Sequence, residues 1–145
     1  MDFDSSMRIS ASGLSANRAW INVLSANLAN MHTTRTADGK PYQRRTVIYE
    51  SVPSGNSFDG ALDMALQEDV QKVRVTDIVA DGRDFKEVYD PSHPDANQEG
   101  IVLTPNISAV EEMANLVNAS RSYEANLAAL NIAKQLTLKA LEIGK

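Results

Sequence analysis

The sequence predicts an α+β fold: long N- and C-terminal helices packed as an antiparallel or coiled-coil-like pair, with a small, largely antiparallel β-rich middle segment, in an elongated molecule. Three observations predict it. Apolar residues recur at heptad spacing near each end, an unbroken helical run of about 35 residues closes the chain, and short Val-rich runs alternate with Gly and Pro turns between them. The expected organisation is a first helix within 1–32, a β and turn region over 33–104 and a second helix within 105–145.

The first helix is expected from about Ser5 to Asn30, where there is no Pro and only Gly13 interrupts the pattern. Met7, Leu14, Ile21 and Leu28 recur every seven residues, which draws a stripe along one helical face. Leu24 and Met31 take the second heptad position, but Ser10 and Asn17 hold it earlier. The seam is therefore half polar, and the helix needs a partner. Trp20, one residue from the seam, fits either the core or a contact with a neighbouring protein.

The second helix has the clearer start. Pro105-Asn106-Ile107 ends an extended segment, and Ser108-Ala109-Val110-Glu111 has the Ser-x-x-Glu spacing of a capping box. Nothing breaks the run until Gly144, a residue type favoured just past a helix end, so the helix spans roughly 50 Å at 1.5 Å per residue. Its stripe reads Met113, Leu116, Ser120, Tyr123, Leu127, Leu130 and then shifts phase through Ala133, Leu136, Ala140 and Ile143. The helix is expected to change neighbours near Lys134.

Candidate strands in the middle are Arg45–Glu50, Val70–Val79, Asp84–Tyr89 and Gly100–Leu103, with Val73, Val75 and Val79 on one face. Asp38-Gly39, Pro53-Ser54-Gly55 and Asp81-Gly82 supply the turns. A pair of long helices with incomplete stripes buries little in a chain of 145 residues, so the surplus apolar face must meet other chains.

Composition narrows the function. Apolar residues at 43% and charged residues at 23% are ordinary for a globular chain, which disfavours disorder and membrane burial. A net charge of −5, with Arg44-Arg45 as the one basic pair, argues against phosphate neutralisation and hence against nucleic acid. The absence of Cys removes disulfides, thiolate metal clusters and thiol nucleophiles. Acidic residues occupy the N-terminus where a secretory signal would be basic, so any export is expected to use a route without a cleaved signal.

Three stretches carry a resemblance. Ile9 to Asn30, with Asn27-Leu28-Ala29-Asn30 as an Asn-x-Ala-Asn box followed by Thr33-Thr34, resembles the N-terminal signature of the axial proteins of the bacterial flagellar rod and hook. Met31-His32 departs from that signature, where small residues or Asn are usual. Ala119 to Lys134 is similar to the C-terminal helix signature of the same family, and Val88 to Gly100 looks like a segment peculiar to one type of proximal-rod subunit. The resemblance implies a structural, non-enzymatic subunit of the flagellar basal body, in the rod that crosses the periplasm. It would polymerise into a helical tube that transmits torque and forms part of the export channel wall, with the terminal helices inside and the β segment outside. The implied partners are further copies of the chain, other rod proteins, the protein at the junction of rod and membrane ring, and the flagellar type III export apparatus. No cofactor, nucleic acid or small-molecule substrate is implied.

The residues expected to meet neighbouring subunits are Met7, Leu14, Ile21, Leu24, Asn27, Leu28 and Asn30 on the first helix, and Met113, Leu116, Tyr123, Leu127 and Leu130 on the second. Tyr89, Asp90, Pro91, Ser92, His93, Pro94 and Asp95 form the segment specific to the subunit type. Asp90, His93 and Asp95 have the chemistry of metal ligands, but Pro91 and Pro94 stiffen the chain on both sides of His93, and a rigid turn bonded to its own backbone explains them better. Ser92 beside His93 has no nucleophile elbow to support a hydrolase. Asn27 and Asn30 share a helix face and read as amides that fix helix register, against the plainer reading of solvated helix-end residues. Arg121 and Glu124 fit a surface pair or a bridge between subunits. The competing readings are another rod or hook subunit, for which the middle region is short, and a helical adaptor.

Overall fold

The structure, a computed structural model, describes residues 3–53 and 71–143. In chain order these form α1 (Phe3–Ala29), β1 (Arg45–Pro53), β2 (Gln71–Ala80), β3 (Lys86–Tyr89), β4 (Ile101–Thr104) and α2 (Ala109–Ile143). The expected turn residues Ser54 and Gly55, the expected strand start at Val70 and the helix stop at Gly144 lie outside the described residues.

Helix α1 ends where Asn30 turns its amide back on the preceding turn, donating from both its backbone N and Nδ2 to the Ala26 carbonyl (3.1 and 2.9 Å). Those bonds satisfy a carbonyl that the end of the helix would leave orphaned. Helix α2 starts as the Ser108 carbonyl accepts from Glu112 N (2.9 Å), and Glu111 and Glu112 place negative charge against the positive end of the helix dipole.

The strands form two separate antiparallel hairpins. β1 and β2 pair from Arg45 opposite Ala80 to Pro53 opposite Gln71, with a bulge beside Ile48 and Tyr49. Pro53 closes the strand at its end, where the missing donor matters least. β3 and β4 pair Lys86 with Thr104 through Tyr89 with Ile101.

The core is thin: Ala16, Val23 and Leu24 of α1, Val47 of β1, Val102 of β4, Ile107 and Ala119 of α2 are its buried apolar side chains. Two contacts fix how the helices run. Asn27 bonds to Glu112 near one end of the pair, and Gly13 lies against Asn126 further along, so α1 and α2 are antiparallel.

Candidate assembly interface

Where the end of α1, the start of β1 and the start of α2 meet, the structure buries a polar junction. Asn27 and Glu112, at 0% and 1% exposure, are its centre. Asn27 donates from Nδ2 to the Arg45 carbonyl (2.8 Å) and to Glu112 Oε2 (3.0 Å); its Oδ1 accepts from Arg45 N (2.9 Å) and from the Tyr42 hydroxyl (3.1 Å). All four hydrogen-bonding capacities of the amide are thus used, and the backbone of Arg45 dictates which end is O and which is N. The amide pairs with Arg45 as a neighbouring strand would.

Glu112 is shared with a second layer. Arg44 Nε donates to its Oε1 (2.7 Å), while Arg44 Nη1 reaches Asp81 Oδ2 (3.3 Å). Arg83 closes on the same Asp81 oxygen through Nη2 (2.7 Å) and Nε (2.9 Å), and its backbone N bonds Oδ1 (3.0 Å). Asn106 accepts from Arg44 N and donates to the Arg83 carbonyl, which ties the segment before α2 to both hairpins. Two cations face two carboxylates, so the junction is neutral, as burial requires. The Arg83 side chain, and after it the Arg83 N–H, holds the Asp81 carboxyl down at about 2. Burial pushes the Tyr42 phenol up, which keeps its proton available for Asn27.

Beyond this junction the two helices pack along one seam. The face of α2 turned inward follows 112, 116, 119, 123, 126, 130, 133 and 137, all buried or half-buried. Leu116, Tyr123 and Leu130 of the expected stripe lie on it. The alternate places are held by Glu112, Ala119, Asn126 and Ala133, one residue out of phase with Met113, Ser120 and Leu127 of that stripe. Met113 and Leu127 consequently face outward, Leu127 at 42% exposure. At one of these alternate places α1 approaches closely: a Cβ on Gly13 would stand 2.8 Å from Asn126 Nδ2. On α1, Leu24 and Asn27 are buried within the chain, whereas Met7, Leu14, Ile21 and Leu28 are half-covered. Asn30 is also half-buried and is committed to the helix end, its Oδ1 accepting from the Thr33 hydroxyl. Trp20 is half-buried, and Arg121 and Glu124 are both exposed.

The segment from Tyr89 to Gly100 is a rigid loop. Asp90 Oδ1 accepts from Ser92 N and Oγ, which lowers the Asp90 carboxyl below its usual range; His93 Nδ1 accepts from Asp95 N (3.1 Å). Asn97 Oδ1 holds Glu99 N and Ile101 N. Gly100 is required at the exit, where φ is 76° and a Cβ would meet Pro91 and Tyr89 at 3.0 Å. Asp90 and His93 are spent on the loop itself and Asp95 on its anchor, and among the described residues no group of three converges on a metal position. Asp95 pins the loop to the turn after α1, accepting from Thr34 Oγ1 (2.8 Å) and pairing with Arg35 (3.4 Å).

Comparison with known proteins finds relatives along the whole chain. A family model described as flagella basal body rod protein matches residues 7–35, and one described as flagellar basal body rod FlgEFG protein C-terminal matches residues 98–143. The chain is similar to flagellar basal-body rod protein FlgC of Bacillus subtilis, 44% identical with 97% of each chain covered. The chain belongs to the flagellar basal-body rod protein FlgC family. FlgC of Borreliella burgdorferi is 38% identical over 99% of this chain and 98% of its own, and FlgC of Aquifex aeolicus 36% identical over 100% and 99%. A member of the FlgC family is a structural subunit of the flagellar basal-body rod, and among the described residues no helix is long and apolar enough to cross a membrane.

In this FlgC-family chain, the junction residues Tyr42, Arg44, Asp81, Arg83, Asn106 and Glu112 had no signal of their own in the sequence, apart from one. Glu112 stands four residues before Leu116 and seven before Ala119, so it is a charge on the inner stripe. A carboxylate on an apolar face marks a buried partner.

Proposed function

We propose that this chain polymerises with further copies and with other rod proteins into a helical tube that carries torque and walls an export channel, and that it performs no catalysis. In this reading the helix pair lies inside and the hairpins outside, with segments 1–32, 33–104 and 105–145 as its working divisions. The rod-to-membrane-ring junction protein and the type III export apparatus are its further partners. Met7, Leu14, Ile21 and Leu28 on α1, and Met113 and Leu127 on α2, meet neighbouring subunits, while Leu24, Asn27, Leu116, Tyr123 and Leu130 shape the pair that presents them. The loop from Tyr89 to Asp95 is a stiff outer contact.

The observation that carries this reading is the outer face of α2, where Val110, Met113, Val117, Leu127, Ile132 and Leu136 stand exposed although the inner face is already packed with Leu116, Tyr123 and Leu130. A helix apolar on both sides is one that other helices surround. Leu127→Asp tests it. The carboxylate costs little in the lone subunit, because Leu127 is partly in water, but burying it between subunits costs several kcal/mol at each contact. In a strain lacking its own copy, the variant is expected to be exported and to fail to build rods by electron microscopy. Normal rods containing it would overturn the assignment.

A further inference from the structure

We infer that Asn27 with Glu112, and Gly13 with Asn126, are two keys that admit a single register of the α1–α2 pair. They lie on one seam at equal intervals: 14 residues separate Gly13 from Asn27, and 14 separate Glu112 from Asn126, two heptads on each helix. The inference does not depend on what the pair assembles with.

Half of the seam carries no register information. Leu116, Tyr123 and Leu130 are spaced by seven and are all bulky, so sliding α2 by one heptad replaces one large side chain with another. The other half discriminates. Its order is Glu112, Ala119, Asn126, Ala133, polar alternating with alanine, so the same slide sets alanine wherever a polar group belongs. One slipped register puts Ala119 opposite Asn27, leaving a donor of a fully buried amide without an acceptor. In that register Glu112 passes beyond the end of α1, away from Arg44, which now gives it a hydrogen bond at 2.7 Å, and Asn126 faces Trp20. The second key is steric. Asn126 fits where it does because Gly13 has no Cβ, and α1 has no other glycine to receive it.

The chain has no cysteine, so introduced pairs report register without background. S6C/A133C places thiols one heptad beyond the Gly13–Asn126 contact, in register; S6C/A140C samples a slip by one heptad. In the full-length chain, oxidised at low concentration and read by mass spectrometry, the in-register disulfide is expected to exceed the slipped one by at least about tenfold. Adding E112A/N126A makes the discriminating half uniformly alanine, and the two yields should come within about threefold. Equal yields without those substitutions, or a tenfold preference that survives them, would overturn the inference. If E112A/N126A loses its helical circular dichroism, N126A alone decides. The preference must then fall at least threefold, and an unchanged preference refutes the second key.

Discussion

Replacing Asn27 by Asp isolates the chemistry of the junction from its packing, because the two side chains have nearly the same shape. The introduced carboxylate keeps both acceptor bonds, from Arg45 N and Tyr42, and loses both donations, to the Arg45 carbonyl and Glu112. It also sets two negative charges about 3.0 Å apart where an amide donated before. At an effective dielectric of about 20 that repulsion is roughly 5 kcal/mol, with about 1–3 kcal/mol more for the stranded acceptor, before relaxation and counter-attraction by Arg44. Against a total stability of about 5–15 kcal/mol this is a large loss. The sign of its pH dependence is diagnostic. Repulsion raises the affinity of the pair for one shared proton in the folded state, so the penalty is smaller in acid and grows as pH rises through the pair's raised titration. Urea titrations of the full chain, followed by helical circular dichroism at pH 7 and pH 4, measure both. A variant within about 1 kcal/mol of the unsubstituted chain at pH 7, or a penalty no smaller at pH 4, would show that Asn27 is a space-filling residue.

Two further outcomes follow from the geometry. Gly100→Ala forces a side chain into positive φ and against Pro91 and Tyr89, so it should lower stability by about 1–3 kcal/mol and open the Asp90–Gly100 loop to proteolysis, read by thermal melts and limited digestion; an unchanged cleavage rate would contradict it. Asp81 has a depressed carboxyl, so its contribution is fully present above the ordinary carboxylate range and is lost as pH falls from about 4 towards 2; Asp81→Asn should flatten that part of the stability profile, and an unaltered acid slope would mean that other carboxylates govern it.

The elements were legible because each has a period that chain-local chemistry enforces. Both helices and all four strands lie where heptads, alternation and turn residues place them, to within a few residues. The loop after Tyr89 was legible as a rigid turn for the same reason: Asp90, Asn97 and the prolines act on backbone within a few positions. What was not legible was the phase of the helix seam. Counting large apolar residues selects Met113 and Leu127, but close contact selects Ala119 and Asn126, and only the approach of Gly13 reveals that. The junction is harder still, since Asn27 meets Glu112 across 85 residues of sequence, and Arg44 reads in isolation as half of a basic pair.

The hidden phase and the hidden junction have one cause. The discriminating half of the seam, Glu112, Ala119, Asn126 and Ala133, gains little from burial, because an alanine removes far less apolar area from water than a leucine, and the bulky half repeats every seven residues, so hydrophobic packing alone does not set the register. Charge-assisted hydrogen bonds do set register, since each works in one alignment only. Many large side chains of α2 are left outside the pair. Val110 is 79% exposed and Leu141 65%, and each is worth about 1.5–3 kcal/mol if another surface covers it. The distribution therefore places the register keys inside the subunit and leaves much of its hydrophobic driving force outside it. A chain that folded for its own sake would do the reverse, which is why the uncovered faces of α2 support assembly as the state for which the sequence is built.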